Sequence, residues 1–517
     1  MIKLFNRNRM SRKSTLAIGG VTRAILACFA AIECAAEERP LSLAECIDLS
    51  IKHNLDLESG LKTPLIAAQN LRSARAAYEP SFSVDSNYRS TTSPGGVDTQ
   101  TSQFFSGTET TWDRYGTGLS GQLPTGMTYS LGASKTRTDV LNNGAFFNEN
   151  GVVGVDVRQP LLKNLWIDST RLQIALGRLN LRISESQLRS LLMSLVTNVE
   201  FAYYDLVAAR DRLRIIQQSY ELASQLVESH RKQVNVGRMA RLDEKQAQSR
   251  VATSEAALFA ARNQVTERET ALKLLISDDF AAWADKAIIP ATAIEQKVTE
   301  LSRDSSWARA LTQRPEVTQA RLQLDKENVQ LRFARNQRFP SLDLTASYAL
   351  TGSDQDIRNG DTPDYGVGFV FSIPLGNSVA RARHEAQKLR KQQALIAYKG
   401  LEQQVMAEVL NAMNAVDSSA RRVTATSDAR AFAETALEAE EKKLANGKST
   451  NFIVLQLQAD LTQARLNETL ALVDYNRALA TLALREASTL DRHSISLRDR
   501  GEATKPKTTK FTVNAPQ

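Results

Sequence analysis

The sequence holds little of what most soluble enzymes build on. Of its 517 residues, three are cysteine, four are histidine and 6% are aromatic. Cys28 and Cys34 fall within the first 36 residues, so Cys46 is alone in the body of the chain. One thiol allows no internal disulfide and no four-thiolate zinc site. It shares a helical pattern with Leu43, Ile47 and Leu49 and reads as a buried structural cysteine. No stretch after the N-terminus approaches the ~20 apolar residues that span a bilayer as a helix. A helical transmembrane bundle is therefore excluded. Wholesale disorder is excluded too, because 42% hydrophobic and 24% charged residues are ordinary globular fractions. Net charge is confined to the two ends. The whole chain carries +8, yet residues 37–490 hold 53 basic and 53 acidic side chains. Binding of nucleic acid through a basic face loses its support.

The two charged ends read as address and tail. Lys3, Arg7, Arg9, Arg12 and Lys13 precede a mostly small or apolar stretch, Leu16 to Ala31, and Cys34-Ala35-Ala36 resembles a cleavage site. Residues 1–36 are expected to be a secretory signal. Ile25-Leu26-Ala27-Cys28 also resembles, loosely, a lipoprotein box, which leaves lipidation of Cys28 open. Residues 491–517 are polar and basic and are expected to be a disordered tail.

Catalytic constellations are missing as well. Gly447-Lys448-Ser449 looks like the end of a phosphate loop, but the earlier Gly it requires is Lys442. No two histidines stand at metal-binding spacing. His230 reads as a packing residue. No enzyme activity, no metal and no cofactor are expected.

What is present is one unit written twice. At an offset of 260, Pro80-Ser81-Phe82-Ser83-Val84 aligns with Pro340-Ser341-Leu342-Asp343-Leu344, and the register runs back without a gap to Ile51 against Leu311. Val157-Arg158-Gln159-Pro160-Leu161 matches Phe371-Ser372-Ile373-Pro374-Leu375. At an offset of 210, Gly237-Arg238 meets Gly447-Lys448, Leu242 meets Phe452 and Gln246 meets Gln456. The copies are expected at 41–280 and 301–490, joined by 281–300. Each should hold a helix, strands and a long helical hairpin. The strands are placed near 81–159 and 341–373, and the hairpins at 169–277 and 378–488.

The strand segments alternate with period two. Phe82, Val84 and Tyr88 oppose Ser83, Asp85 and Asn87; Leu342, Leu344 and Tyr348 oppose Asp343, Thr345 and Ser347. Val153, Val155 and Val157, and Val367, Phe369 and Phe371, form returning strands. Polar linkers are expected at 91–111 and 352–363. Tyr115–Gln122 and Met127–Thr138 look like a further hairpin, either inside the sheet or outside it. From Ser169 to Asn235 there is no proline and Gly177 is the only glycine. Seam positions step by four and three through Leu188, Leu192, Leu195, Val199, Ala202, Leu206, Ala209, Leu213, Ile216, Tyr220, Ala223, Val227, His230 and Val234. That is a coiled-coil seam. The second copy repeats it through Val405, Val409, Ala412, Val416 and Val423, but puts Arg430 and Glu440 on the seam, facing either a wet interior or a bundle flank.

Four to six strands leave open edges, which cannot sit in lipid, so a membrane-spanning sheet of this kind must oligomerise. The order and duplication of these elements resemble the TolC-type outer-membrane efflux family over about 41–490. The marks are Leu41-Ser42-Leu43-Ala44-Glu45-Cys46-Ile47, Gln159-Pro160-Leu161-Leu162, Arg338-Phe339-Pro340-Ser341-Leu342 and the two Gly turns. The resemblance implies an α+β membrane protein: a homotrimer forming one β-barrel in the outer membrane of a Gram-negative-type bacterium, continued by a long α-helical coiled-coil barrel in the periplasm. It implies a passive conduit for small-molecule efflux or type I secretion, contacting outer-membrane lipid, a periplasmic adaptor and an inner-membrane pump. Val236, Gly237, Arg238 and Met239, with Asn446, Gly447, Lys448 and Ser449, match the tips that meet the adaptor. Asp243, Ile453 and Gln456 match the periplasmic aperture. Where the family places acidic residues this chain has Ile453 and Gln456, so an uncharged constriction is expected. The rival reading is a periplasmic coiled-coil adaptor or scaffold without a channel.

Overall fold

The computed structural model describes residues 37–141, 146–236, 240–292, 302–353, 362–446 and 448–495. The expected signal (1–36) and residues 496–517 of the expected tail lie outside the described residues, as do Gly237, Arg238, Met239 and Gly447 of the tips. Residues 491–495, expected in the disordered tail, are instead folded: His493 Nε2 is 3.0 Å from Glu200 Oε1 and Ile495 packs on the main core.

The chain opens with β1 (Glu37–Leu41), α1 (Leu43–His53) and α2 (Leu55–Ala76). Ser42 accepts from the Glu45 amide while the Glu45 carboxylate accepts from the Ser42 amide, a capping box that starts α1. Asn54 ends α1 and caps α2 by accepting from the Leu57 amide at 3.0 Å. Then come β2 (Ser81–Ser93), the short pair β3 (Gly96–Val97) and β4 (Phe104–Phe105), β5 (Thr108–Gln122), β6 (Thr128–Leu141) and β7 (Phe146–Pro160). Two helices follow, α3 (Ser169–Asn235) and α4 (Arg241–Ile276), and then β8 (Lys286–Pro290). The second series is α5 (Arg303–Gln313), α6 (Pro315–Asn336), β9 (Ser341–Ser353), β10 (Thr362–Ser372), α7 (Ser378–Ala445), α8 (Asn451–Glu486) and α9 (Thr489–Arg492).

Six strands form one antiparallel sheet in the order β10-β9-β7-β6-β5-β2. The hairpin of uncertain place is therefore inside the sheet, between β2 and β7. It is also longer than its apolar residues indicate. The segment 91–111, expected as a linker, gives its first residues to β2, holds β3 and β4, and gives Thr108–Thr111 to β5. Its serines and threonines carry no apolar signal, but β-branched threonine suits a strand and the ladder satisfies the backbone. The turn between β5 and β6 closes at Gly126, whose φ of +86° needs glycine. The joining segment 281–300 also differs from its reading: β8 pairs in parallel with β1, Ile288 beside Arg39. That small sheet ties the first residues described to the middle of the chain.

At ~1.5 Å per residue, the 67 residues of α3 and the 68 of α7 each span ~100 Å. Their partners α4 and α8 have 36 residues each and cover only the far part. Beside the strands, α2 and α6 pack on α3, and α6 also packs on α7. Every seam residue from Leu188 to Val234, and those named from Val405 to Glu440, is buried or half-buried. His230 is 2% exposed, in keeping with a packing role. Arg430 lies in the α7–α8 seam and pairs with Glu468 of α8 at 2.7 Å and Glu434 at 3.1 Å. The main core gathers Leu41, Cys46, Ile47, Val196, Val199, Tyr203, Leu206, Leu272, Ile288 and Leu490, where β1, α1, α3, α4, β8 and α9 meet.

Candidate functional site

The sheet has two unlike faces. Register puts Phe82, Leu119, Leu131, Val155, Tyr348 and Tyr365 on one side. Phe82, Tyr365, Val367, Phe369 and Phe371 there are at least 60% exposed. So large an exposed apolar face marks a partner or a membrane. The opposite face carries Ser83, Gly118, Ser130, Gly132, Gly154, Asp156 and Ser347. Side chains there are small. A Cβ on Gly116 would stand 2.5 Å from Asp85 Oδ1, so the Asp85 carboxylate as placed lies directly over Gly116. At the foot of this face Arg158 Nη2 donates to Asp343 Oδ2 at 2.5 Å. β2 and β10 each have one unpaired edge.

The far ends of the hairpins hold the candidate docking residues. Val236 ends α3 and is 68% exposed. At the second tip the Lys448 amide donates to Lys443 O at 2.9 Å, and Asn446 Nδ2 donates to Lys442 O at 2.8 Å. Ser449 Oγ donates to Glu440 at 2.5 Å. Lys443 and then Ser449 hold the Glu440 carboxyl below its ordinary range. These contacts fold the tip back on α7. Two residues missed as site candidates flank the tips: Leu242 and Phe452, each 67% exposed. Their equivalence at the offset of 210 was the available signal, and exposure gives it meaning.

The candidate aperture residues fall on two helices. Asp243 is half-buried in the first turn of α4. Ile453 and Gln456 share one face of α8 and both are exposed. Among the described residues no hydrogen bond or ion pair joins Asp243 to either. Gln456 Nε2 donates to Asp460 Oδ1 at 3.0 Å, which places a carboxylate one turn above the uncharged pair.

The two hairpins meet within the chain through α3 and α8. Asp205 accepts from Arg477 of α8 at 3.0 Å and from Arg268 of α4 at 3.3 Å. The Arg477 guanidinium also lies 4.9 Å from the Phe201 ring centre. Among the described residues no three His, Cys, Asp or Glu side chains gather as a metal site. No described helix is long and apolar enough to cross a membrane.

Comparison with known proteins gives these features a setting. The chain is 25% identical over 349 residues to the outer membrane efflux protein BepC of Brucella suis, covering 66% of this chain and 73% of that protein. It is 24% identical over 315 residues to the outer membrane protein TolC of Vibrio cholerae, covering 59% and 70%. The Campylobacter jejuni CmeC outer membrane channel shares the fold, with a TM-score of 0.63, 16% identity and coverage of 89% and 90%. The sequence model of the outer membrane efflux proteins matches residues 126–277 and 307–487. With exposed apolar strands, long helical hairpins and a doubled sequence match, the chain belongs to the outer membrane efflux protein family: an outer-membrane channel protein with a periplasmic helical portion, not an enzyme.

Proposed function

We infer that three copies of this chain form one conduit through the outer membrane and across the periplasm. The observation that carries this is the six-stranded sheet with two unpaired edges and one exposed apolar face. Open edges are not stable in lipid. Joining β2 of one copy to β10 of the next removes them all, and three copies of six strands make eighteen. Barrels of about that size leave an aqueous channel. The apolar face meets outer-membrane lipid, and the face of serine, glycine and aspartate lines the lumen. The hairpins continue the lumen as a coiled-coil barrel ~100 Å long.

The exposed tips are the docking surface for a periplasmic adaptor, which couples the conduit to an inner-membrane pump. Val236, Gly237, Arg238 and Met239 serve on one tip, and Asn446, Gly447, Lys448 and Ser449 on the other, flanked by Leu242 and Phe452. Asp243, Ile453 and Gln456 border the aperture, uncharged at the last two. Cargo, whether small molecules or a type I secreted protein, passes without chemistry from the channel, and efflux is the use that the relative named for efflux supports. An adaptor without a channel does not account for the exposed sheet.

The test is extraction and size. A trimer that needs detergent to leave the outer membrane and falls apart on heating is expected. A soluble monomer in periplasmic extracts would overturn the reading. Strong block by divalent cations from the periplasmic side would overturn the uncharged aperture alone.

A further inference from the structure

A cavity of about 1100 Å³ lies where sheet and helices join, bounded by α3, α6, α7 and the foot of β9 and β10. Three cationic side chains line it: Lys163, Arg383 and Arg390. No carboxylate does. Among the described residues none of the three has an ion-pair partner, and Arg390 is held only by Gln387, Nη1 to Oε1 at 3.3 Å. Basic and acidic residues balance over 37–490, so three unpaired cations around one space are a local departure. Gln387 is 5% exposed, and its amide group donates to Gln330, which also lines the cavity, and to Glu327, which does not. It fixes the Arg390 side of the cavity. The first turn of α7 adds Ser378, Val379 and Ala380. No side chain caps that turn and it holds no acidic residue, so its amide groups add to the positive field. Phe333, Phe339, Leu172 and Leu176 supply an apolar wall. Ser341 and Ser372 in the lining belong to the small polar face of the sheet, not the apolar one.

We propose that this cavity binds amphipathic organic anions in transit, the apolar body against the phenylalanines and leucines and the carboxylate, sulfonate or phosphate on Lys163, Arg383 and Arg390. The volume suits one drug-sized molecule or slightly more. Guanidinium groups bind such oxyanions by charge-assisted hydrogen bonds. The strand residues that line it, Ser341 and Ser372, lie on the polar face, which assigns the site to cargo in the lumen. The proposal rests on the channel reading and narrows it to one class of substrate.

The test uses the full-length protein in nanodiscs, titrated calorimetrically with anilinonaphthalene sulfonate and corrected for empty discs. Saturable binding is expected, weakened about tenfold or more in the Lys163→Gln, Arg383→Gln, Arg390→Gln triple variant, and progressively by rising salt. A cationic dye of similar size should not compete. Equal affinity in the triple variant, or equal competition by the cation, overturns the site. Stoichiometric anionic phospholipid in the purified wild type, absent from the triple variant, would make the occupant a lipid and overturn the cargo assignment. Single-channel recording of the same proteins separates the two readings. A conducting channel without binding sinks the site alone. Binding without conductance supports the site and sinks the channel.

Discussion

At the residue scale, the chain repeatedly sets a single group into a surrounding that decides its behaviour. Cys46 is fully buried, and burial pushes its thiol up to about 12. The thiolate is the reactive form, so maleimide at neutral pH should leave the folded protein unlabelled and label it once denatured. Labelling of the native protein would contradict the burial. Leu206 is fully enclosed in the main core. Leu206→Ala should cost about 2–5 kcal/mol, read as a lowered denaturation midpoint. Glu408 is governed by opposing causes. Burial alone would raise its pKa, but hydrogen bonds from Arg314 and Gln404 and the nearby Arg314 and Arg485 charges hold it below the ordinary value. Its folded value lies below its unfolded one. Its stabilisation is therefore complete above about pH 4.5 and is lost as pH falls through the folded value. Thermal unfolding of Glu408→Gln should be easier than wild type at pH 7, and the difference should shrink in acid. A gap that does not narrow at all between pH 7 and acid would rule this pairing out as the cause.

At the element scale, long helices with weak seams are held by charges placed between them. Arg430 looked out of place as a seam residue, yet it pairs with Glu434 and Glu468 and so ties α7 to α8. Arg477 does the equivalent across hairpins, reaching Asp205 and the Phe201 ring. Arg477→Ala should loosen α3 from α8 while leaving each hairpin intact. The expected result is longer or more frequent open events in single-channel records, with helicity unchanged by circular dichroism. Gating identical to wild type would remove this contact from any role in opening. The element scale is also where the sequence was most legible. A stretch free of proline from Ser169 to Asn235 is one helix with those limits. Legibility fell where the residues are small and polar. Tyr115–Gln122 was legible as a strand, but Thr108–Thr111 have no apolar alternation, so only the ladder with β2 and β6 extends β5 back over them. β8 was invisible for another reason: five residues, paired with a strand some 250 positions away, have no local signature.

At the scale of the whole molecule, edges and faces matter more than any side chain. β2 and β10 are at opposite ends of one sheet, so disulfides between them must form between chains. A cysteine scan along 81–93 against a cysteine at Phe369 should give oxidised dimers and trimers, with a two-residue period along β2. Monomer alone at every position would mean that the sheet closes differently. The candidate sites divide at this scale as well. The helix pairs that carry the tips were legible as hairpins because a glycine between two long helical patterns marks a turn. The basic cavity was not legible, because Lys163, Arg383 and Arg390 come from separate segments. Only the packing of α3, α6 and α7 brings them to one space.

The sequence by itself determined the class of element and its repetition. Period two, period three-and-four, proline and glycine are local properties that do not need a fold to be read. It also determined that the net charge resides in the ends and that no catalytic cluster is spelled out. Tertiary structure decided which strands are neighbours, that the extra hairpin lies inside the sheet, and that three unpaired cations share one cavity. These depend on contacts between distant segments, and the physical reason is that burial and pairing are settled by what packs alongside, which no single stretch of sequence contains.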